Sequence, residues 1–417
     1  MELRTIDSLC SLISSGGTPS RKHPDFYTDD LDGHLWVKSK ELLDLSIADT
    51  EERITDEGLN RSSAKYFPAD TVLIAMYGAN VGQLGWLKCP ATVNQAVCGL
   101  VVNKEIASSR FVFYALLQTR EALAAKAQGA AQQNLNQGLI REFQIPLPPL
   151  PTQQKIAAIL SAYDDLIENN LRRIKILEEM AQNLYREWFV KFRFPGHQHA
   201  RFTDSPLGRI PEGWEIKKIL EFGNVITGKT PSKANLDFFG EDVPFVKTPD
   251  MHGNTFILSV GERLSVAGAK SQANKTIPPN SLCVSCIGTI GVVSITTEEC
   301  QTNQQINSVV LMKEHFREFL FLRLQGAKQA LENLGATGAT MGNVNKGKFE
   351  SLEVIAPPDD LVYRYHKFAA PLFSKILVLS RKNTTLHRTR DLLLPKLISG
   401  ELDVSELDIT VPEEAEA

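Results

Sequence analysis

The fold of this chain is decided by GGTPS at residues 16–20, which recurs as GKTPS at residues 228–232. The two copies begin 212 residues apart, about half of the 417-residue chain. That period is much longer than the ~20–45 residues of a solenoid repeat. It predicts a duplicated domain, each copy with its own connector.

Five further blocks repeat in the same order, each pair about 209 residues apart. The matches are LWVK (35–38) with PFVK (244–247), YGANVG (77–82) with IGTIG (287–291), TVNQA (92–96) with QTNQQ (301–305), NLN (134–136) with NVN (343–345), and PP (148–149) with PP (357–358). Agreement in order and in spacing indicates two copies of one unit.

Length and composition are typical of a folded protein with two or three domains. Hydrophobic residues make up 43% of the chain and charged residues 23%. No apolar run reaches the ~18 residues of a membrane span, and the N-terminus lacks the apolar core of a signal peptide. We therefore expect a cytoplasmic protein without membrane contact.

The net charge of −4 does not by itself indicate a nucleic-acid partner. Residues 401–417 hold seven acids and no Lys or Arg, which predicts an acidic tail. The six cysteines are scattered, so we expect reduced thiols. Cys283 and Cys286 lie in an apolar run without further ligands, and we interpret them as core residues. The sequence predicts no metal and no cofactor.

Each copy changes character once along the chain. Its first part is rich in Gly, Pro and Asn and contains short β-prone runs. The stretch that follows lacks helix-breaking residues: residues 152–192 contain neither Gly nor Pro. This change predicts a compact α+β domain followed by a long helix. We therefore expect a first globular domain at 1–150, a long helix at 151–193, a linker and second globular domain at 194–358, a second long helix at 359–400, and the acidic tail at 401–417.

Both long helices carry a seam whose steps alternate between four and three residues, the heptad pattern of a coiled coil. The first seam is Ile156, Leu160, Tyr163, Ile167, Asn170, Ile174, Leu177, Ala181, Leu184 and Trp188. The second is Tyr365, Ala369, Leu372, Ile376, Leu379, Asn383, Leu386, Arg390, Leu393 and Leu397. An amphipathic helix on a globular core is the alternative, but such a helix seldom keeps two apolar positions per heptad for so long.

One asparagine lies near the middle of each seam. A buried Asn is costly unless its amide finds a partner, and another Asn can supply that partner. Pairing Asn170 with Asn383 in antiparallel helices also sets Trp188 opposite Tyr365 and makes the seams overlap from end to end. We predict an antiparallel two-helix coiled coil in this register, about 60 Å long for ~40 residues, separating two similar α+β domains.

Four segments resemble a known family. They are IPLPPLPTQQKIA (145–157), WFVKF (188–192), LGRIPEGW (207–214) and LPKLISGEL (394–402). They are similar to the specificity subunits of type I restriction-modification systems, and the resemblance runs over essentially the whole chain.

In that family each of two target-recognition domains reads half of a split DNA sequence, and the helices set the gap between the halves. The resemblance implies double-stranded DNA as the ligand and two modification subunits that carry the methyltransferase chemistry. It also implies restriction subunits that translocate and cut DNA. The chain itself is expected to hold no catalytic residue and no cofactor.

The residues agree with that expectation. There is no Asn-Pro-Pro-Tyr-type motif for adenine methylation and no convincing nuclease motif. GNVITGKT (223–230) satisfies the phosphate-loop string, but no clear strand precedes it and Pro231 stands where the helix should begin. Two alternatives stay open: a methyltransferase or nuclease with an unrecognised motif, and a coiled-coil adaptor whose domains lack sequence preference.

Candidate DNA contacts are polar residues beside the repeated Gly-rich turns, because such side chains read base edges and grip phosphates. The first domain offers Ser20, Arg21, Lys22, Lys38, Lys40, Tyr77 and Asn80. The second offers Lys229, Thr230, Ser232, Lys233, Lys247, Thr248, Asp250 and Thr289. The pairs Asn94–Gln95 and Asn303–Gln304 could read bases or, equally well, hold loops together. Since the two sets differ, we expect an asymmetric target.

Overall fold

A computed structural model describes residues 2–127, 134–336 and 342–411 of the chain. They form two compact units. The first joins the residues up to Glu168 to those from Thr385 onward, and the second is Asn169–Thr384. The end of the predicted acidic tail, residues 412–417, lies outside the described residues.

The described part of the first half contains twelve strands. They are β1 (Glu2–Thr5), β2 (Cys10–Ser15), β3 (Tyr27–Thr28), β4 (His34–Val37), β5 (Leu45–Ile47), β6 (Arg53–Ile54), β7 (Lys65–Phe67), β8 (Val72–Ala75), β9 (Leu84–Leu87), β10 (Ala91–Val93), β11 (Val97–Val102) and β12 (Gln144–Leu147). They form one sheet of order β2-β11-β8-β9-β5, a second of order β3-β6-β4-β10-β7, and a β1–β12 pair.

The second half repeats this arrangement. Its strands are β13 (Phe202–Ser205), β14 (Gly208–Pro211), β15 (Glu215–Lys218), β16 (Gly223–Thr227), β17 (Phe239–Gly240), β18 (Val243–Val246), β19 (Phe256–Ile257), β20 (Arg263–Leu264), β21 (Leu282–Ser285), β22 (Val293–Thr296), β23 (Gln301–Thr302), β24 (Ile306–Leu311) and β25 (Glu353–Ala356). The sheets have the orders β16-β24-β21-β22-β19 and β17-β20-β18-β23, with pairs β13–β14 and β15–β25.

The helices of the described residues include two long ones. They are α1 (Ile6–Leu9), α2 (Asp56–Asn60), α3 (Ser109–Ala124), α4 (Gln137–Glu142), α5 (Leu150–Tyr185), α6 (Thr248–Met251), α7 (Val266–Lys270), α8 (Arg317–Gln325), α9 (Lys328–Gly335), α10 (Lys346–Glu350) and α11 (Asp359–Ser399). Helix α5 begins at Leu150. Its first turn contains Pro151, which is tolerated there because the first N–H groups of a helix have no acceptor within the helix. It continues into a π-helical turn at Arg186–Val190.

One sheet has the same strand order in both halves, with β2, β11, β8, β9 and β5 corresponding to β16, β24, β21, β22 and β19. Among the described residues, β7 of the other sheet and the β13–β14 pair have no counterpart strands. The central strands β8 and β21 are buried along their whole length because both of their faces are covered. On β8, Val72 and Ile74 join the core beneath α3, whereas Leu73 and Ala75 join the core of the second sheet. The predicted fold class, two similar α+β domains with long helices, is confirmed.

In the second unit the long helices pair antiparallel. The Asn170 Nδ2 donates a hydrogen bond of 2.8 Å to Asn383 Oδ1, and both residues are buried. Further along, the Trp188 and Tyr365 rings meet edge to face with centroids 5.8 Å apart. None of the seam residues is exposed. The predicted antiparallel pairing is therefore observed.

In the first unit the seam includes a charged residue. Arg390 is 9% exposed, and its Nη1 lies 2.6 Å from Asp164 Oδ1 on α5. The Tyr114 hydroxyl donates to the other oxygen of Asp164 at 2.6 Å. These contacts compensate the buried guanidinium. Nearby, Val404 is buried, so the segment predicted as an acidic tail packs against this unit at its start.

The structure also bears on the cysteines, metal ligands, phosphate-loop string and apolar helices. Burial raises the pKa of the Cys283 and Cys286 thiols to about 11, as expected of core residues. The described residues contain no cluster of three metal-ligating side chains. Gly223–Thr227 is strand β16, paired with β24, so the phosphate-loop string lies within a sheet. Within those same residues no helix is both long and apolar enough to cross a membrane.

Candidate DNA interface

Four turns of the first unit lie together, and we call them turn cluster 1: residues 16–22, 38–41, 76–82 and 94–96. Each follows a strand, namely β2, β4, β8 or β10. Three backbone hydrogen bonds join them: Gly17 N to Val93 O (3.0 Å), Asn94 N to Val37 O (2.9 Å) and Met76 N to Ala96 O (2.8 Å). The first-domain candidates all lie in this cluster.

The second unit has the corresponding turn cluster 2: residues 228–233, 247–251, 286–291 and 303–305. Its three joining hydrogen bonds are at equivalent positions: Lys229 N to Thr302 O (2.9 Å), Asn303 N to Val246 O (3.1 Å) and Cys286 N to Gln305 O (2.7 Å). The duplication therefore preserved the frame of the cluster while its side chains diverged.

Glycines explain why the sequence repeats here. Gly78 and Gly288 have φ of 79° and 74°, a conformation that L side chains rarely adopt. A Cβ at Gly228 would lie 2.2 Å from the Asn303 carbonyl oxygen. A side chain would strain the backbone at Gly78 and Gly288 and would collide with the neighbouring turn at Gly228, so the glycines build the frame on which the polar residues are held.

Arg21 is held by three neighbours. Its guanidinium carbon lies 4.1 Å from the centre of the Tyr27 ring and 5.4 Å from that of Trp36. Its Nη2 lies 2.6 Å from Glu52 Oε2. Ser20 and Lys22 flank it and are exposed. A guanidinium oriented by an aromatic ring and a carboxylate on an exposed turn can offer its remaining N–H groups to a base or a phosphate.

Lys38 and Lys40 are both engaged with acids. Lys38 Nζ lies 2.7 Å from Glu52 Oε1 and 3.1 Å from Glu51 Oε2, and Lys40 Nζ lies 2.5 Å from Glu51 Oε2. Burial acts to raise the pKa of the Glu52 carboxyl, but hydrogen bonds from Lys38 and Arg21 outweigh it, so that pKa is lowered. The side chain of Lys38 is only 12% exposed, whereas Lys40 is open to solvent.

Tyr77 and Asn80 lie on the Gly78 turn. Tyr77 is 40% exposed and forms a backbone bridge with Asn134. Asn80 is half-buried because its Nδ2 donates to the Ser39 carbonyl oxygen at 3.2 Å, which ties this turn to the one after β4. Tyr77 therefore faces solvent, while Asn80 braces the cluster.

In turn cluster 2, Lys229, Ser232 and Lys233 are exposed. Thr230 is half-buried, and its hydroxyl donates to Gln304 Oε1 at 2.6 Å. Thr289 is exposed on the turn that corresponds to that of Tyr77. The turn at residues 228–233 thus presents lysines where the corresponding turn of cluster 1 presents Arg21.

The turn after β18 is more internal. Lys247 Nζ lies 2.5 Å from Glu262 Oε2, and the Asp250 carboxylate accepts hydrogen bonds from the Lys247 and Gly261 backbone N–H groups. Thr248 is only 6% exposed. Lys247 and Asp250 therefore shape the turn, and a direct base contact by Thr248 is not supported.

The Asn–Gln pairs act as staples between turns. Gln95 accepts a hydrogen bond from the Thr18 hydroxyl, just as Gln304 does from Thr230. Asn303 is buried, and its Oδ1 accepts from the Gln305 backbone N–H. Of the two roles left open by the sequence, the structure favours the one in which these pairs hold the loops together.

Glu52 and Glu262, the acids that position the lysines of the two clusters, were not among the candidates from the sequence. A signal for them was present, because ERIT at 52–55 recurs as ERLS at 262–265. Gln272 was not among the candidates either; its Nε2 donates to the Lys229 carbonyl oxygen at 2.8 Å and fixes the first turn of cluster 2.

A chain with two equivalent but chemically different polar turn clusters, and a paired long helix in each unit, belongs to the class of duplicated recognition proteins. The model of the family described as "Type I restriction modification DNA specificity domain" matches residues 1–179 and 211–361. This chain belongs to that family. It therefore confers DNA sequence specificity by reading a target in two parts, acts with the other subunits of the complex, and leaves catalysis to them.

Individual relatives agree. The chain is 32% identical to the Type I restriction enzyme HindI specificity subunit of Haemophilus influenzae, over 72% of this chain and 79% of that protein. It is 28% identical to the MjaIX specificity subunit of Methanocaldococcus jannaschii, over 95% and 92%. The crystal structure of a type I restriction-modification S subunit from M. genitalium matches 95% of each chain with a TM-score of 0.59 and 16% identity, and this likeness shows the fold.

Proposed function

We propose that turn cluster 1 and turn cluster 2 each contact one half of an asymmetric, bipartite DNA target. The observation that carries the proposal is the equivalence of their hydrogen-bonded frames combined with the difference in their exposed side chains. Two identical readers would select a palindrome, whereas these two present different donors and acceptors to the major groove.

Within the clusters, we assign direct contacts to the exposed residues. These are Ser20, Arg21, Lys22, Lys40 and Tyr77 in the first unit and Lys229, Ser232, Lys233 and Thr289 in the second. Lys38, Asn80, Thr230, Lys247 and Asp250 act by holding the turns, because they are only partly exposed and their side chains already have protein partners.

The partners follow from the family. We propose that two modification subunits methylate adenines chosen by this chain, and that restriction subunits translocate and cut DNA lacking that methylation. This assembly works in the cytoplasm, where the chromosome is its substrate.

The proposal is tested by mapping methylated adenines in the host genome by long-read sequencing, with and without the gene for this chain. We expect a split, non-palindromic motif with a gap near one helical turn of DNA, about 10 base pairs. A contiguous motif, a palindrome, or a pattern unchanged by deletion of the gene would contradict it.

Single substitutions, assayed in the assembled complex, distinguish the contributions of the two clusters to DNA recognition. Arg21→Ala should weaken discrimination in one half-site only, by about 1–3 kcal/mol, and Lys233→Ala should weaken binding through the other domain. Arg4→Ala is the matched control, because Arg4 is a half-exposed arginine on β1, outside both clusters. Equal effects of Arg21→Ala and Arg4→Ala on methylation of target variants would remove Arg21 from the interface.

Two further measurements distinguish this proposal from the two alternatives that the sequence left open. Tight binding of S-adenosylmethionine by the purified chain alone would indicate a methyltransferase. Absence of any sequence preference in the assembled complex would indicate a structural adaptor.

A further inference from the structure

In the first unit, a glutamate of α5 is held by a hydroxyl and a cation from the globular half. The Ser46 hydroxyl donates to Glu168 Oε2 at 2.9 Å, and Lys88 Nζ lies 2.5 Å from the same oxygen. The carboxylate and the ammonium are each about 70% buried. A carboxylate removed from water in this way needs such a counter-charge.

The second unit also has a glutamate of α5 that is held by a hydroxyl from the globular half. Thr255 lies directly before β19, and its hydroxyl donates to the Glu178 carboxylate. Thr297 corresponds to Lys88, since β19 pairs with β22 as β5 does with β9. The Thr297 hydroxyl donates a hydrogen bond to the Ile257 carbonyl oxygen at 2.7 Å. Among the described residues, no Lys, Arg or His lies within ion-pair distance of Glu178.

Glu178 lines a cavity of about 440 Å³ inside the second unit. Phe321, Phe373, Ile376 and Val293 supply apolar walls, while Gln182 and Gln325 add amide groups at its side. The volume is that of a small-molecule site. Burial raises the pKa of the Glu178 carboxyl, although the hydrogen bond from Thr255 opposes this effect.

We propose that this cavity binds an organic cation, a primary ammonium or guanidinium group on an apolar stem, with Glu178 as its counter-ion. The head group lies beside the Glu178 carboxylate, as the Lys88 ammonium lies beside Glu168 in the first unit. The methylene stem lies against the Phe321 and Phe373 rings. Such a cation comes either as a free small molecule of the polyamine type or as a Lys or Arg side chain of a partner subunit.

The free-molecule source is tested by titrating the full chain with agmatine and 1,4-diaminobutane at constant ionic strength, with 1,4-butanediol as the neutral analogue. We expect saturable binding of the amines, and not of the diol, by calorimetry. Glu178→Gln keeps the shape and the acceptor for Thr255, and it should weaken binding at least about tenfold, the loss expected for a charge-assisted contact. Glu168→Gln is the matched control and should leave binding unchanged.

The side-chain source is tested by assembling wild-type and Glu178→Gln chains with modification subunits; this arm alone rests on the proposed function. A roughly tenfold weaker assembly of Glu178→Gln, but not of an exposed control, Glu179→Gln, supports a partner cation. Equal amine binding by wild type and Glu178→Gln overturns the proposal, as does the absence of both amine binding and an assembly defect. Methylation mapping reports separately on DNA reading.

Discussion

The two halves of this protein share a sheet order but differ in how each is attached to the long helices. In the first unit several polar contacts add to the apolar packing of the long helices: Ser46 and Lys88 meet Glu168, and Tyr114 shares Asp164 with Arg390. Arg110, which stacks on the Trp86 ring at 4.4 Å, adds an ion pair with Asp165 of α5 at 3.4 Å.

In the second unit the attachment is mainly aromatic, beside polar contacts of Glu178 with Thr255 and of His366 with Glu318. Phe373 on α11 lies between Phe256 and Phe321, with ring centres 6.3 and 5.4 Å away. Phe189, in the π-helical turn, packs against Phe319 and Tyr365 with ring centres 4.9 and 4.8 Å away. The turn lets the consecutive residues 188 and 189 both face inward. The two halves therefore keep the same frame of the turn clusters, whereas their contacts with the long helices have diverged.

The largest expected effect is at the aromatic joint. Phe373→Ala should lower the free energy of unfolding of the second unit by about 3–5 kcal/mol, because it removes a buried ring and leaves a cavity. Denaturant unfolding, followed as the transition of this unit, measures it. Val378→Ala, at an exposed site of the same helix, should change it by less than about 0.5 kcal/mol. Equal losses of unfolding free energy in Phe373→Ala and Val378→Ala would show that the buried Phe373 ring does not stabilise the packing of α11 against the globular part.

The centre of the helix pair comes next. Asn170→Leu alone should cost about 1–3 kcal/mol, because the Asn383 amide then loses its buried hydrogen-bond partner. The double change Asn170→Leu with Asn383→Leu should recover most of that loss. Thermal melts of the four proteins complete the cycle. If the two single effects simply added, the amides would not be coupled.

The polar joint should show a smaller, salt-dependent effect. Lys88→Met should cost about 0.5–1 kcal/mol at low ionic strength. It should cost almost nothing near 1 M salt, where charges are screened beyond about 3 Å. The loss of unfolding free energy in Phe373→Ala should be present at both salt concentrations. As a control, Arg61→Met removes an exposed pair with Glu57 and should have the smaller effect at low salt.

The smallest effect is a pH dependence of the second joint. Because burial raises the pKa of Glu178 in the folded state, its favourable contribution is present at low pH and is lost as pH rises through that pKa. Glu178→Gln should therefore be the more stable protein at neutral pH, and the difference should vanish below the ordinary Glu pKa of about 4.3. Melting temperatures from pH 4 to 8 test this, with Glu179→Gln as control; an advantage that grows towards acid pH would contradict it.

Much of the architecture could be predicted from the sequence because it depends on local periodicity. The duplication follows from repeated glycine turns, whose conformations few other residues adopt. The pairing of Asn170 with Asn383 follows from two heptad seams, each with a single polar amide near its centre. Both are one-dimensional patterns.

The candidate interface was predicted only in part. The sequence brought the correct turns together, but not the roles of their side chains. Lys38 and Lys247 carry the charge expected of phosphate contacts, yet each turns towards an acid about 15 residues further along the chain. Those partners are defined by the pairing of β4 with β6 and of β18 with β20, which no local pattern encodes.

By itself, then, the sequence determined the duplication, the two long helices and their register, because backbone conformation and heptad spacing are written residue by residue. Only the tertiary structure decided which polar residues face solvent, how the two joints differ, and that Glu178 lines a cavity with no cationic side chain of the described residues beside it. Those properties depend on side chains brought together from distant strands and helices, where burial and electrostatics act between residues far apart in sequence.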